Sequence, residues 1–180
     1  MKKLLFTLLA SAAIFTSCTQ KNEYVIYGTV SKPDLEGAKI FLIPMNGPIK
    51  ENMDSTYIKN LSFEFRGTEE RLVDIRLERM RRFGTESLLV VTEPGEIYVS
   101  IGEVSFGRGT PQNDTLQVWK DLTLEFVQQA KPLFKRGDEE GFKNLQESYY
   151  KRTSQMASNV GLNSTLGAFL DERVKEEDTK

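Results

Sequence analysis

Apolar and polar residues alternate from Tyr24 to about Gly107, and from Thr110 onward the apolar ones recur at helical spacing. The alternating part is cut into short runs by Gly, Pro, Asn and Asp, the punctuation of strands joined by tight turns. Residues 24–30 form the first run, closed by Lys32-Pro33-Asp34, and residues 38–43 the second, stopped by Pro44. Residues 54–58 and 61–66 flank Lys59-Asn60, a gap suited to a tight hairpin. Within the latter, Leu61, Phe63 and Phe65 alternate with Ser62, Glu64 and Arg66, so one face is apolar and the other polar. Residues 72–79 alternate likewise, with Val73, Ile75 and Leu77 inward. Residues 88–92 and 97–101 read as another hairpin across Glu93-Pro94-Gly95-Glu96, where Pro-Gly suits a type II turn. About seven or eight such strands must each bury one face, and two packed sheets achieve that. The expectation for residues 24–109 is an antiparallel β-sandwich, with a partly closed barrel as the alternative.

The helical part begins at Thr110-Pro111, with the Thr hydroxyl expected to cap free amides and Pro in the first helical position. Leu116, Trp119, Leu122, Phe126, Ala130 and Leu133 then share one face, and Pro132 is expected to end or bend the helix near its last turn. Gly137 breaks the chain, and Asp138 caps a second helix with Phe142, Leu145, Tyr149, Met156 and Val160 on its apolar face, ended by Gly161. Asn163 or Ser164 opens a short third helix with Leu166, Phe169, Leu170 and Val174, and residues 176–180 form a charged tail. The fold class is therefore α+β, with residues 110–180 supplying about three amphipathic helices packed on the sandwich.

Ahead of this lies a different pattern. Lys2 and Lys3 precede an apolar run from Leu4 to about Thr16, well short of the ~20 residues of a membrane span. Ile14-Phe15-Thr16-Ser17-Cys18 resembles a lipobox, with Phe15 in place of the usual Leu, Val or Ala. Residues 1–17 then read as a lipoprotein signal, Cys18 as the acylated first residue, and residues 18–23 as a polar tether. Thr19 behind the cysteine points to the outer membrane, at its periplasmic face or at the cell surface.

Composition narrows the chemistry. The chain carries 24 basic and 26 acidic residues; loss of Lys2 and Lys3 with the leader leaves 22 basic ones and a formal charge of about −4. Nucleic acid, which calls for a basic face, is not an expected partner. There is no histidine, and the one cysteine is Cys18. With that thiol acylated, Ser-His and Cys-His nucleophilic chemistry and His/Cys zinc sites are not expected. No catalytic residue, cofactor or metal is assigned.

The order of Tyr27-Gly28-Thr29-Val30, Asp54-Ser55-Thr56, Phe63-Glu64-Phe65-Arg66-Gly67, Thr92-Glu93-Pro94-Gly95 and Gly109-Thr110-Pro111-Gln112-Asn113-Asp114-Thr115-Leu116 resembles a known family. It is the domain of unknown function at the amino terminus of many thioredoxin-like, peroxiredoxin-like lipoproteins of Gram-negative gut anaerobes; residues 163–170 resemble its last helix. The resemblance implies the cell envelope and work beside a thioredoxin-like protein. The family's Trp-Cys-x-x-Cys site has no counterpart among these residues, so its redox activity is not carried over.

Several segments invite a specific role. Arg76, Arg79, Arg81 and Arg82 form a basic cluster suited to an anion or acidic partner, or to a solvated hairpin end. Tyr57, Tyr98 and Tyr150 lie opposite their apolar neighbours and are the aromatic ligand candidates. Ser55 and Thr115 sit in Asp-Ser-Thr and Asp-Thr-Leu triplets resembling the O-glycosylation motif of exported proteins in such bacteria. Residues 102–109 share glycine spacing with a phosphate loop but lack its Lys, leaving a strand-to-helix connection or a weak anion site at the helix start. Glu69-Glu70 and Glu139-Glu140 are adjacent pairs, read as solubility and helix-dipole residues.

The leading expectation is a non-catalytic envelope lipoprotein that reaches the membrane through lipid on Cys18 and binds a thioredoxin-like protein or a glycan. Two readings compete with it: a truncated or split thiol-disulfide oxidoreductase lacking its catalytic domain, and a carboxylate-based glycan hydrolase.

Overall fold

Alternation in the first half of the chain and helical periodicity in the second produce eight strands followed by three α-helices in the computed structural model, which describes residues 22–77 and 87–178. The strands are β1 (Tyr24–Val30), β2 (Lys39–Pro44), β3 (Asp54–Tyr57), β4 (Ser62–Gly67), β5 (Leu72–Leu77), β6 (Ser87–Val91), β7 (Gly95–Ile101) and β8 (Phe106–Arg108). The helices are α1 (Pro111–Arg136), α2 (Glu139–Val160) and α3 (Thr165–Asp178). Cys18 and the rest of the leader, together with Arg79, Arg81 and Arg82, lie outside the described residues.

The strands make two four-stranded sheets: sheet A in the order β4-β1-β7-β8 and sheet B in the order β3-β2-β5-β6. Every alternate residue expected inward on β4 and β5 is buried, and Ile26, Ile40, Leu42, Ile75, Val90, Ile97 and Ile101 complete a core between the sheets. The α+β sandwich-plus-helices architecture is therefore as the pattern predicts. All strand pairs are antiparallel except β1 and β7, which run parallel from Tyr24↔Gly95 to Val30↔Ile101.

Neither expected hairpin continues as a paired ladder. A tight turn does form after β3, closed by an antiparallel Lys59–Ser62 bridge with Asn60-Leu61 rather than Lys59-Asn60 at its tip. But β3 pairs with β2 and β4 with β1, so the turn passes the chain from sheet B to sheet A. The turn is built by Asn60 and Leu61, both at positive φ, whose amides donate to the two carboxylate oxygens of Glu36 at 2.9 and 2.8 Å. Alternation reports which face is buried, and cannot report which strand lies alongside. Likewise β6 stays in sheet B while β7 opens in sheet A. Thr92 pins the crossing, its hydroxyl donating to Glu69 O at 2.7 Å and accepting from Arg71 N at 2.9 Å. Gly95 takes the positive φ of 129° and donates to Glu23 O at 3.1 Å.

Helix α1 departs from expectation in three ways. Pro132 lies within it, and the helix continues to Arg136 and Gly137, whose φ of 63° makes a left-handed cap. The missing N–H of Pro132 forgoes one bond, to the carbonyl four residues back, and the helix runs one further turn before Gly137 ends it. Its start is not capped by Thr110; Glu93 reaches in from the β6–β7 crossing, and its Oε1 accepts from Gln112 N at 2.6 Å and Asn113 N at 3.2 Å. The third departure concerns its face. Leu116, Leu122 and Ala130 are buried as predicted, but so are Gln112, Asn113 and Gln117.

Two of those polar residues, Asn113 and Gln117, close strand edges. Val91 N donates to Asn113 Oδ1 at 2.9 Å, and Asn113 Nδ2 donates back to Val91 O at 2.7 Å, so the amide takes the place of a neighbouring strand residue on β6. One turn on, Gln117 Oε1 accepts from Gly107 N of β8 at 3.2 Å, and Lys120 Nζ donates to Leu89 O of β6 at 3.1 Å. Beside this stripe a second apolar core joins Leu72 and Val91 to Leu116, Ala157, Leu166 and Leu170, with Trp119 edge-on to Phe169. Asp138 caps α2 by accepting from Gly141 N at 2.9 Å, and Ser164 Oγ accepts from Gly167 N at 3.0 Å before α3. The latter helix continues to Asp178, past the point at which a charged tail was expected.

Replacing Asn113 with Ala strands the buried N–H and C=O of Val91 and should cost about 3 kcal/mol in urea unfolding. Val118→Ala, on the exposed side of α1, should stay within ~0.5 kcal/mol of the parent.

Burial pushes the Lys120 amine down to about 8 from 10.5, partly opposed by Asp121. Its folded-state pKa is thus below the unfolded one, and the cost of burying the charge is fully present below pH 8. Stability relative to Lys120→Met should therefore rise as pH goes from about 8 to 10.5, measured by denaturant midpoints of both proteins across that range. A difference independent of pH would refute this assignment.

Candidate functional site

The outward face of sheet A carries the side chains that alternate with the core: Tyr27 and Thr29 on β1, Ser62 and Glu64 on β4, Tyr98 on β7 and Phe106 on β8. The parallel register sets Tyr27 directly beside Tyr98, and their rings stack at 5.7 Å with 25° between planes. Tyr98 is held from its other end, its phenol donating to the Glu96 carboxylate; that bond keeps the phenol above its ordinary pKa. Thr29 Oγ1 donates to Val99 O at 3.4 Å.

These residues border a groove of about 590 Å³, walled further by Thr56, Tyr57 and Lys59 from the end of β3 and the crossing to β4. Tyr57 is 55% exposed, Tyr98 48% and Phe106 39%, so their rings are available to a ligand. Beneath the groove, on the core side of sheet A, Gly28 leaves room for the buried Phe63 ring. An added Cβ at Gly28 would meet the Phe63 ring at 2.0 Å, because that ring lies across its cross-strand partner.

Of the three tyrosines singled out from alternation, the structure brings Tyr57 and Tyr98 to one site and leaves Tyr150 elsewhere, edge-on to Tyr149 on α2. Tyr27, Phe106 and Lys59 were missed as site residues. Tyr27 does alternate outward on β1, a signal that could have found it; Lys59 was assigned only to a turn. Arg76, the described member of the arginine cluster, is engaged by Asp74 Oδ2, at 3.1 Å from Nε and 2.5 Å from Nη2. Ser55 is exposed on the edge strand β3, while the Thr115 hydroxyl donates to Pro111 O at 2.9 Å within α1.

The glycine-rich segment at 102–109 is the β7–β8 turn and strand, with Gly102 N donating to Ser105 Oγ at 3.2 Å. The anion site envisaged at the helix start is filled by Glu93 of the chain itself. Glu70 also differs from its solubility role: its Oε1 accepts from Gln112 Nε2 and from Thr165 Oγ1, each at 2.8 Å. Gln112 Nε2 also lies 3.3 Å from Glu93 Oε2, and its Oε1 accepts from Leu166 N at 2.8 Å. Glu70 and Glu93 thus converge on one amide that ties α1 and α3 to the sandwich. A second concavity of about 610 Å³ lies beside this tie, with Glu69, Arg71, Glu172 and Arg173 on its wall; Glu69 pairs with Arg71 at 3.1 Å. Among the described residues no group of three or more His, Cys, Asp or Glu is placed to hold a metal ion, and no helix is long and apolar enough to cross a membrane.

Gly28→Ala should displace the Phe63 ring and lower stability by about 1–3 kcal/mol, read from thermal or denaturant unfolding. An unchanged midpoint would mean that the ring does not lie over this glycine.

Comparison with known proteins gives no match among curated proteins and none among solved structures. The family profile described as "Domain of unknown function (DUF4369)" matches residues 24–116, a span covering the whole sandwich and the first turns of α1, with Asn113 inside it and Gln117 and Lys120 just beyond. The chain belongs to the DUF4369 family.

Proposed function

We propose that this chain is an outer-membrane lipoprotein, tethered through lipid on Cys18, whose folded part binds a ligand or partner without catalysing a reaction. One observation carries the binding part: the groove on sheet A keeps Tyr57, Tyr98 and Phe106 open to solvent while the two apolar cores are filled by other residues. The tether is supported by the basic start, the short apolar run and the Ile14-Phe15-Thr16-Ser17-Cys18 segment. Residues 19–23 reach at most ~18 Å when extended, which holds the start of β1 near a membrane surface. The groove draws on β1 from Tyr27 to Thr29, roughly 10–17 Å along the strand from its first residue. The family resemblance adds an envelope thioredoxin-like protein to the partners worth testing, beside a glycan.

Two variants test the two halves of the reading. The parent should fractionate with membranes and show acyl mass on Cys18, and Cys18→Ala should lose both. Cross-linking in envelope extract should capture a species that the Tyr27→Ala/Tyr98→Ala double variant no longer captures. An unmodified Cys18 in a soluble protein would sink the anchor. Full retention of captured species by the double variant would sink the groove.

A further inference from the structure

We infer that the groove on sheet A takes a neutral, pyranose-based oligosaccharide; this rests on the groove being the binding site and adds the chemistry of its ligand. Six hydroxyl-bearing side chains border it: Tyr27, Thr29, Thr56, Tyr57, Ser62 and Tyr98. The Thr29, Ser62 and Tyr98 hydroxyls give their protons to Val99 O, Asn60 O and the Glu96 carboxylate and so offer lone pairs to a ligand O–H. Tyr27, Thr56 and Tyr57 carry hydroxyls of the kind that both donates and accepts, and the set suits a ligand whose own polar groups are hydroxyls. The residues lining the groove carry one charge of each sign, Lys59 and Glu64. The lining itself thus has no net charge to favour an ionic ligand.

The aromatic rings supply the other half of a sugar's chemistry. A pyranose carries a face of C–H bonds, electropositive at their hydrogens, and a π-face is electronegative. Tyr27 and Tyr98 are fixed before any ligand arrives, by mutual stacking at 5.7 Å and by the Tyr98–Glu96 hydrogen bond, so little side-chain freedom is lost on binding. The volume of about 590 Å³ lies in the ~300–1,000 Å³ range of small-molecule sites, enough for more than one ring. A peptide added as an extra strand is disfavoured at the neighbouring β3 edge, where Ser55 N already donates to Asp54 Oδ1 at 2.7 Å.

The test is a titration of the full chain, extracted from membranes in detergent, followed by amide NMR shifts. The probes are maltotetraose, cellotetraose, xylotetraose, mannotetraose and chitotetraose, with tetragalacturonic acid as the anionic comparison. At least one neutral sugar should shift the amides of Thr29, Tyr98 and Phe106 saturably, and more strongly than the acid does. Tyr98→Ala and Tyr57→Ala should each weaken that binding about tenfold. Tyr57→Ala should keep the parental unfolding midpoint, and Tyr98→Ala, which loses the stack on Tyr27, should lower it only slightly and leave the protein folded. The inference is overturned if none of the five neutral sugars binds at millimolar concentration, if tetragalacturonic acid binds more tightly, or if binding survives both substitutions. Should the sugars fail while the Tyr27→Ala/Tyr98→Ala protein still loses its envelope species, the ligand class alone falls and the groove stands.

Discussion

An open strand edge presents unpaired N–H and C=O groups, and two edges of this sandwich are closed by side chains from a single helix. Asn113 and Lys120 serve β6 in sheet B, and Gln117 serves β8 in sheet A. The three positions, separated by four and three residues, fall on one helical face, so one orientation of α1 satisfies both sheets. Everything downstream inherits that orientation. Leu116 enters the second core because its neighbours are hydrogen-bonded to strands, and α2 and α3 pack around that core. Gln112, immediately before the stripe, extends the same logic by holding α3 through the amide of Leu166.

The closure is one-sided, and that asymmetry positions the groove. α1 occupies the β6 and β8 margin of the sandwich, and among the described residues no α-helix packs over the margin formed by β3 and β4. The groove draws Thr56, Tyr57 and Lys59 from this uncovered margin and Tyr27 and Tyr98 from the adjoining face of sheet A. The parallel pairing of β1 with β7 then sets the two tyrosines in register. A hairpin between β6 and β7, as the turn chemistry of Pro94-Gly95 predicts, would place Tyr98 in the other sheet and leave no such stack.

Much of the architecture was legible in the residues because burial imposes a period on the chain. Phe63 and Phe65, or Val73 and Ile75, declare their inward faces without reference to any partner. Pairing was not legible, since the same alternation is satisfied whether a strand folds back on its predecessor or crosses to the opposite sheet. The helix face was half legible. Leu116 and Leu122 followed the apolar rule, whereas Asn113 and Gln117 are buried by bonds to strands distant in sequence, which periodicity cannot register. Tyr57 and Tyr98 were identifiable as outward-facing, but their convergence follows from strand order alone. Glu93 looked like part of a turn; its role as the cap of α1 follows from the sheet crossing on which it sits.

The central place of β1 also bears on how the chain folds. Its two neighbours are β4 and β7, and Tyr24 meets its parallel partner only at Gly95. Sheet A therefore cannot be completed while the first half of the domain stands alone, and a chain emerging from its amino terminus must hold β1 half-paired until β7 follows. Such non-local pairing delays the productive nucleus and favours late, cooperative closure over strand-by-strand accretion. The helix that seals the remaining edges comes later still in the chain, so it is synthesised after every strand whose edge it closes.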